Sequence, residues 1–383
     1  MILWKMKRRS RKIRNRIIIS GGGTGGHVFP AIAIADALKE KNPEAEILFV
    51  GAQGRLEMEK VPDAGYRIMG LPVEGFRRKV VLGNIKVIIK LIRSLRIARK
   101  IIREFDPDAV IGVGGYASGP VLRSAAAMGI PTLIQEQNSF AGITNKMLAR
   151  KADCICVAFE GMEKYFPEEK IVLTGNPIRK NIRAIGSEEL RKEGYKFFGL
   201  NEHLKTILVL GGSLGARTIN MGVMKNLELI KRPGVQVFWQ SGRFYYEGAR
   251  TAVEKSGAGN VKLRDFITRM DLAYAVADLI ISRAGAITIA ELTHAGKPAI
   301  LVPSPNVAED HQTKNAAALV NMSAALCIPD HEAVEKMIPA ALELIGDNVR
   351  MSNMATNISA MKVEDSAGKI ADEVIRLIES SFS

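Results

Sequence analysis

Short apolar runs, separated by longer stretches whose apolar residues recur at three- and four-residue steps, fill most of the chain. The runs predict strands at 16–20, 46–50, 66–71, 109–113, 132–135, 154–158 and 171–174, and the stepped stretches predict helices at 31–40, 85–104, 120–128 and 144–151. The strands are near-continuous Ile, Leu and Val instead of alternating, so both of their faces are expected to be covered, as in a parallel sheet flanked by helices. The rhythm halts at Gly175-Asn176-Pro177, crosses a charged helical stretch at 187–196 and resumes. Strands are then expected at 206–210, 236–240, 261–265, 279–282 and 299–302, with helices opening near 216, 270, 286, 311 and 332 and a last amphipathic segment at 367–378. At 383 residues and 47% hydrophobic content the chain exceeds one core. It is therefore expected to hold two α/β domains, 1–176 and 177–361, with 362–383 as a closing segment.

Two strands run into glycine-rich turns that open helices: Gly21-Gly22-Gly23-Thr24-Gly25-Gly26-His27 after the first, and Gly211-Gly212-Ser213-Leu214-Gly215-Ala216 after the first strand of the second half. Glycines allow a tight turn and close approach to a ligand, and a helix N-terminus offers unpaired N–H groups with a partial positive charge. Two such turns predict anion binding in both halves. The first turn formally contains G-x-G-x-x-G, but the next strand ends in Gly51-Ala52-Gln53 without the acid that holds a dinucleotide ribose, and neither turn has the Gly-Lys-Ser/Thr of a P-loop. A nicotinamide oxidoreductase and an NTPase are thereby disfavoured. His27 closes the first turn, with Pro30 expected in the first turn of the helix behind it. A helix N-terminus disfavours the imidazolium, which suits a general base.

Charge changes the picture only locally. The net charge of +14 is concentrated at 5–16, with eight basic residues, and at 77–103, with ten, and neither stretch contains an acid. The rest of the chain carries slightly more acid than base, so nucleic acid is not expected as a partner. Within the second stretch Lys86, Lys90 and Arg93 begin a basic face, Ile85, Ile88, Ile92, Leu95 and Ile102 mark an opposing apolar one, and the preceding loop carries Phe76, Val80, Val81 and Leu82. This predicts a surface resting on anionic lipid. No run reaches the length needed to span a bilayer and no signal-peptide stretch follows the N-terminus, so a peripheral position on the cytoplasmic side of the membrane is expected. Cys154 and Cys156 are expected in the core, and Asp106-Pro107-Asp108 is expected to be a helix-to-strand turn, not a metal site.

Taken together, Gly-Gly-Thr-Gly-Gly-His-Val-Phe-Pro at 22–30, Gly-Gly-Tyr-Ala-Ser-Gly-Pro at 114–120, Glu-Gln-Asn-Ser-Phe-Ala-Gly-Ile-Thr-Asn-Lys at 136–146, Gly-Asn-Pro-Ile-Arg at 175–179, Gly-Gly-Ser-Leu-Gly-Ala at 211–216 and Arg-Ala-Gly-Ala-Ile-Thr-Ile-Ala-Glu at 283–291 resemble glycosyltransferase family 28, in its peptidoglycan branch. The match runs in order from about residue 16 to the C-terminus. It implies a GT-B architecture, two Rossmann-like domains with parallel sheets facing a central cleft. It also implies inverting transfer of GlcNAc from UDP-GlcNAc to the MurNAc C4 hydroxyl of lipid I, giving lipid II and UDP, with no cofactor and no metal for donor binding. The last segment would cross back onto the N-terminal domain.

The same resemblance implies roles for individual residues. His27 takes the place of the base, and Thr24, Gly25, Gly26 and Asn138 lie against the donor sugar and the acceptor diphosphate. Arg179, Ser213 and Thr288 fall near the UDP phosphates, within a donor stretch that includes Ala286, Ile287, Ile289 and Ala290. Ile267 meets the uracil through its backbone, Glu291 the ribose hydroxyls, and Gln312 and Asn315 the GlcNAc. Residues 1–15 have no family counterpart. Position 311 is histidine where some members carry glutamine, which leaves open whether His311 or Gln312 touches the sugar.

Overall fold

The computed structural model describes residues 13–74, 83–182, 186–212, 215–307 and 310–382. The chain forms two compact units, one of residues up to Arg179 together with those from Val363 onward, the other Lys180–Lys362. In the first, β1 (Arg16–Ser20), β2 (Glu46–Ala52), β3 (Arg67–Leu71), β4 (Ala109–Gly112), β5 (Thr132–Glu136), β6 (Cys154–Val157) and β7 (Ile171–Leu173) make a sheet in the order β3-β2-β1-β4-β5-β6-β7. All neighbours are parallel, with Ile18 of β1 level with Leu48 on one side and Val110 on the other. The helices between them are α1 (Gly25–Lys41), α2 (Glu57–Asp63), α3 (Gly83–Phe105), α4 (Ser118–Ala127) and α5 (Ile143–Leu148).

In the second unit α6 (Glu188–Phe198) precedes β8 (Lys205–Leu210), and α7 (Arg217–Lys225) with the short α8 (Leu227–Ile230) leads to β9 (Val235–Gln240). Then follow α9 (Tyr246–Ser256), β10 (Val261–Arg264), α10 (Met270–Val276), β11 (Leu279–Ser282), α11 (Ala286–Ala295), β12 (Ala299–Leu301), α12 (His311–Asn321), β13 (Ala325–Cys327), α13 (Asp330–Leu344) and α14 (Asn348–Ala360). The sheet order is β10-β9-β8-β11-β12-β13, again all parallel. The final helix, α15 (Ser366–Phe382), belongs to the first unit.

Strand side chains alternate between the two sheet faces. Ile17 and Ile19 pack with Val28, Ala31 and Ile34 of α1 and with Ala367, Ile370 and Val374 of α15, whereas Ile18 joins Ala98 and Ile101 of α3 and Val121 and Leu122 of α4. Cys154 and Cys156 share the first of these faces as core residues. Asp108 closes a turn ahead of β4, accepting the N–H groups of Arg14 and Arg16 at 3.0 and 3.1 Å. Both sheets reverse their strand order beside the strand that comes first in sequence, between β1 and β4 and between β8 and β11. Such switch points open a crevice at the C-terminal strand ends. Each glycine turn leaves the sheet at one of them.

Two expectations are corrected. Helix α1 starts at Gly25, well ahead of residue 31, because the Thr24 carbonyl accepts the N–H groups of both His27 and Val28 at 3.1 Å. His27 is thus inside the first turn, and Pro30 sits one turn further in. In α3 the buried stripe is Val87, Ser94, Ala98, Ile101, Ile102 and Phe105, while Ile92 is exposed together with Ile89 and Leu91. The small Ser94 and Ala98 take the inward side midway along the helix, which leaves Ile89 and Ile92 outward; Ile102 is buried as expected, and the side chains of Ile85 and Ile88 lie outside the described residues. Among the described residues no helix is long and apolar enough to cross a membrane.

Candidate functional site

At the first switch point the turn after β1 and the turn after β4 are packed backbone to backbone. A Cβ on Gly115 would overlap the Gly22 carbonyl, and one on Gly21 would overlap Val113. Gly114, with φ of +92°, lies under the His27 ring: a Cβ there would stand 2.9 Å from both Cδ2 and Nε2. The motif at 114–120 therefore has a physical reason, since only glycine leaves room for the imidazole. Thr24 Oγ1 is 3.3 Å from His27 Nδ1. With Nδ1 protonated and donating to Thr24, Nε2 is the basic nitrogen.

The turn after β5 is tied to the same edge. Gln137 Nε2 donates to the Val113 carbonyl at 2.8 Å. Buried Glu136 organises its own loop by accepting the N–H groups of Asn138 and Gly142 at 3.1 and 2.9 Å and Nδ2 of Asn145 at 2.9 Å. Asn138 is half-buried there, and its Nδ2 reaches Glu136 Oε1 at 3.3 Å. Arg179 stacks over the Phe29 ring of α1, its guanidinium 5.0 Å from the ring centroid. Thr24, Gly25, Gly26, His27, Asn138 and Arg179 thus belong to one unit, and all but Arg179 lie at one sheet edge.

Not every N–H of the first glycine turn faces outward. Gly23 donates to Oε2 of Glu57 at 2.8 Å, and Glu57 Oε1 takes the N–H of Ala52, also at 2.8 Å. Sequence reasoning missed Glu57; its one signal was an acid opening a short helix just after a strand.

In the second unit a cavity of about 510 Å³ lies beside the second glycine turn, lined by Gly211, Gly215, Ala216, Arg217, Thr218, Tyr245, Arg283, Ser304, Pro305, Asn306, Gln312 and Asp330. Arg283 is fixed by an ion pair to Asp330 and by donation to the carbonyls of Val302 and Pro303 at 3.1 and 3.2 Å. Thr218 donates to the same carboxylate at 2.9 Å. With Arg217 and Thr218 opening α7, the cavity combines a helix N-terminus with two guanidinium groups, a setting for an anion.

Gln312 lines the cavity and accepts the Ser304 N–H at 2.8 Å, whereas His311 is not in the lining. Asn315, fully buried, reaches the Ala284 carbonyl at 3.4 Å and so links α12 to the start of α11. Ala286, Ile287, Thr288, Ile289 and Ala290 form the first turns of α11, ahead of buried Glu291, whose Oε2 accepts the Tyr274 hydroxyl at 2.8 Å. The Ile267 N–H is donated to Gln240 Oε1 at 2.9 Å, so a base edge offered to Ile267 would meet its carbonyl. Thr288, Glu291, Ile267 and Asn315 stand outside the cavity lining. Sequence reasoning missed Tyr274, Asp330, Arg217 and Thr218, which sit in apolar or mixed stretches without a distinguishing pattern.

Ser213 and the loop residues Phe76, Val80, Val81 and Leu82 lie outside the described residues, as does the side chain of Lys86. Lys90 forms an ion pair with Glu74, and Arg93 is exposed next to Ile89 and Ile92.

Residues 17–157 match the model of the glycosyltransferase family 28 N-terminal domain and residues 206–370 that of its C-terminal domain. The UDP-N-acetylglucosamine–N-acetylmuramyl-(pentapeptide) pyrophosphoryl-undecaprenol N-acetylglucosamine transferase of Parabacteroides distasonis is 56% identical over 95% of this chain and 98% of its own length. The protein of the same name from Bacteroides fragilis is 57% identical over 96% of each chain. Among solved structures, Acinetobacter baumannii MurG superposes with a TM-score of 0.73 at 28% identity, over 94% of this chain and 99% of its own.

Proposed function

The chain belongs to glycosyltransferase family 28 and carries the two Rossmann-like α/β domains of the GT-B fold, and from that premise we propose how it works. It is an enzyme of peptidoglycan synthesis that transfers GlcNAc from UDP-GlcNAc to lipid I, giving lipid II and UDP. The observation that carries this reading is the near-full-length match to transferases named for that step.

The transfer inverts the anomeric centre. The acceptor is the MurNAc C4 hydroxyl, whose proton goes to Nε2 of His27 while Thr24 holds Nδ1. Thr24, Gly25, Gly26 and Asn138 receive the donor sugar and the acceptor diphosphate, and Arg179 pairs with the UDP phosphates. The second unit binds the donor. Its uracil meets Ile267, its ribose Glu291, and its GlcNAc Gln312 and Asn315, while the diphosphate lies at the second glycine turn with Ser213, Arg217, Arg283 and the 286–290 helix start. UDP leaves as an anion, and the helix N-termini and guanidinium groups offset its charge without a metal. The enzyme works peripherally on the cytoplasmic face of the inner membrane, resting the outward face of α3, with Ile89, Ile92 and Arg93, and the loop before it on anionic lipid.

The test is radiolabelled GlcNAc transfer to a short-chain lipid I analogue, with the product anomer read by NMR. A β-linked disaccharide is expected, and His27→Ala should lose most turnover while retaining UDP. An α product would refute inversion, and an unchanged rate in His27→Ala would remove that residue from the mechanism.

A further inference from the structure

We propose that Glu57 is a positioning residue of the transfer, an internal carboxylate that holds the first glycine turn in the shape that presents His27. The proposal rests on the reading of His27 as the base. A glycine turn ahead of a helix ordinarily directs its N–H groups at an external anion. Here part of that role is filled from within the protein. Glu57, 1% exposed at the start of α2, takes the Gly23 N–H on one oxygen and the Ala52 N–H at the end of β2 on the other, each at 2.8 Å. The surrounding backbone is cut to fit it, because a Cβ on Gly22 would overlap the carboxylate and one on Gly51 would overlap Cγ.

Gly22 and Gly23 have φ of +146° and +93°, conformations that nothing in their own side chains can enforce. The carboxylate supplies the missing constraint. Gly23 directly precedes Thr24, which caps α1 and contacts His27. Fixing that one peptide therefore fixes both the helix entry and the partner of Nδ1. Both groups that Glu57 holds are at the C-terminal edge of the sheet, where the candidate site lies, and a misplacement of about 1 Å at a reacting group can cost about a hundredfold in rate. Other side chains fill the hydrophobic core, so the buried carboxylate is better explained by the turn it shapes than by packing.

The experiment compares wild type, Glu57→Gln, His27→Ala and the double variant in the GlcNAc-transfer assay. Glutamine keeps one acceptor oxygen but sets an NH2 against the second backbone N–H. Glu57→Gln is expected to lower kcat about tenfold or more, to leave KM for UDP-GlcNAc within about twofold, and to remove almost no further rate once His27 is alanine. An unchanged kcat, or the same fold-loss with and without His27, overturns the proposal. An unimpaired His27→Ala enzyme instead overturns the reading of His27 and takes the proposal with it, an outcome distinct from additivity. Should Glu57→Gln fail to fold, amide hydrogen exchange on the wild-type protein decides: slow exchange at Gly23 and Ala52 supports the brace, and free exchange at Gly23 overturns it.

Discussion

Replacing Tyr274 by phenylalanine would remove one hydroxyl from a buried pair and leave Glu291 Oε2 without the donor now 2.8 Å away. Tyr274 is 1% and Glu291 6% exposed, so water cannot readily take the place of that donor. Hydrogen bonds to charged groups contribute about 1.5–3 kcal/mol, and a loss of that order in folding stability is expected. The effect on binding is smaller and more telling. If Tyr274 holds Glu291 ready for the ribose, releasing that side chain costs about 0.5–1.5 kcal/mol of ordering on binding, or roughly a two- to twelvefold rise in Kd. Calorimetric titration with UDP measures it, and titration with the 2′-deoxyribose analogue supplies the control. The loss should shrink for the analogue, which lacks one of the two hydroxyls. An unchanged Kd for UDP, or equal losses for UDP and the analogue, would refute the link between Tyr274 and ribose recognition.

Gly114→Ala should lower kcat about tenfold or more with UDP binding intact, because its Cβ would press on the His27 ring at 2.9 Å from a φ of +92° that alanine tolerates poorly; a kcat within twofold of wild type would contradict the contact. Burial pushes the Lys297 ammonium down to about 8, with Arg191 acting in the same direction and Asp278 against it. The unfolded chain then binds more protons than the folded one between about pH 8 and 10.4, so stability rises with pH across that window. Lys297→Met should melt higher at pH 7, by about 2–4 °C for each kcal/mol relieved, and should flatten the rise; parallel melting curves from pH 7 to 10 would argue against it. Changing Lys86, Lys90 and Arg93 to Glu should reduce co-sedimentation with anionic vesicles about tenfold or more. Lys90 should contribute least because Glu74 already pairs with it, and undiminished sedimentation would rule out this face as the lipid contact.

Long apolar strands were readable because burial on both sides leaves an unbroken run of branched residues. The runs at 16–20 and 279–282 fold over those same spans, and β8 begins one residue ahead of its expected start. What escaped was short or polar. β13, Ala325-Leu326-Cys327 at a sheet edge, is as short as β7 and β12 but has no β-branched residue to mark it. α14 is rich in Asn, Ser and Thr and reads as loop, although Asp347 caps it by accepting the Arg350 N–H at 2.9 Å. The glycine turns and His27 were legible because turn chemistry is local. Glu57, Tyr274 and Asp330 were not, since each acts on a group brought to it only by the tertiary fold. On α3 Ile102 was read correctly and Ile92 was not, for a related reason: counting isoleucines overlooks that small residues such as Ser94 and Ala98 can take the inward side.

The return of α15 to the N-terminal unit has a consequence for how the protein comes into being. Ala367, Ile370, Ala371, Val374 and Ile378 complete an apolar layer begun by Ile17 and Ile19. The ribosome therefore releases the middle of the chain, able to fold as a finished body, before the beginning can seal its own interior. A nascent chain stalled short of residue 366 would carry a complete second domain and a first domain with one flank uncovered. Quality control would then act on the N-terminal domain for want of a helix made after the second domain.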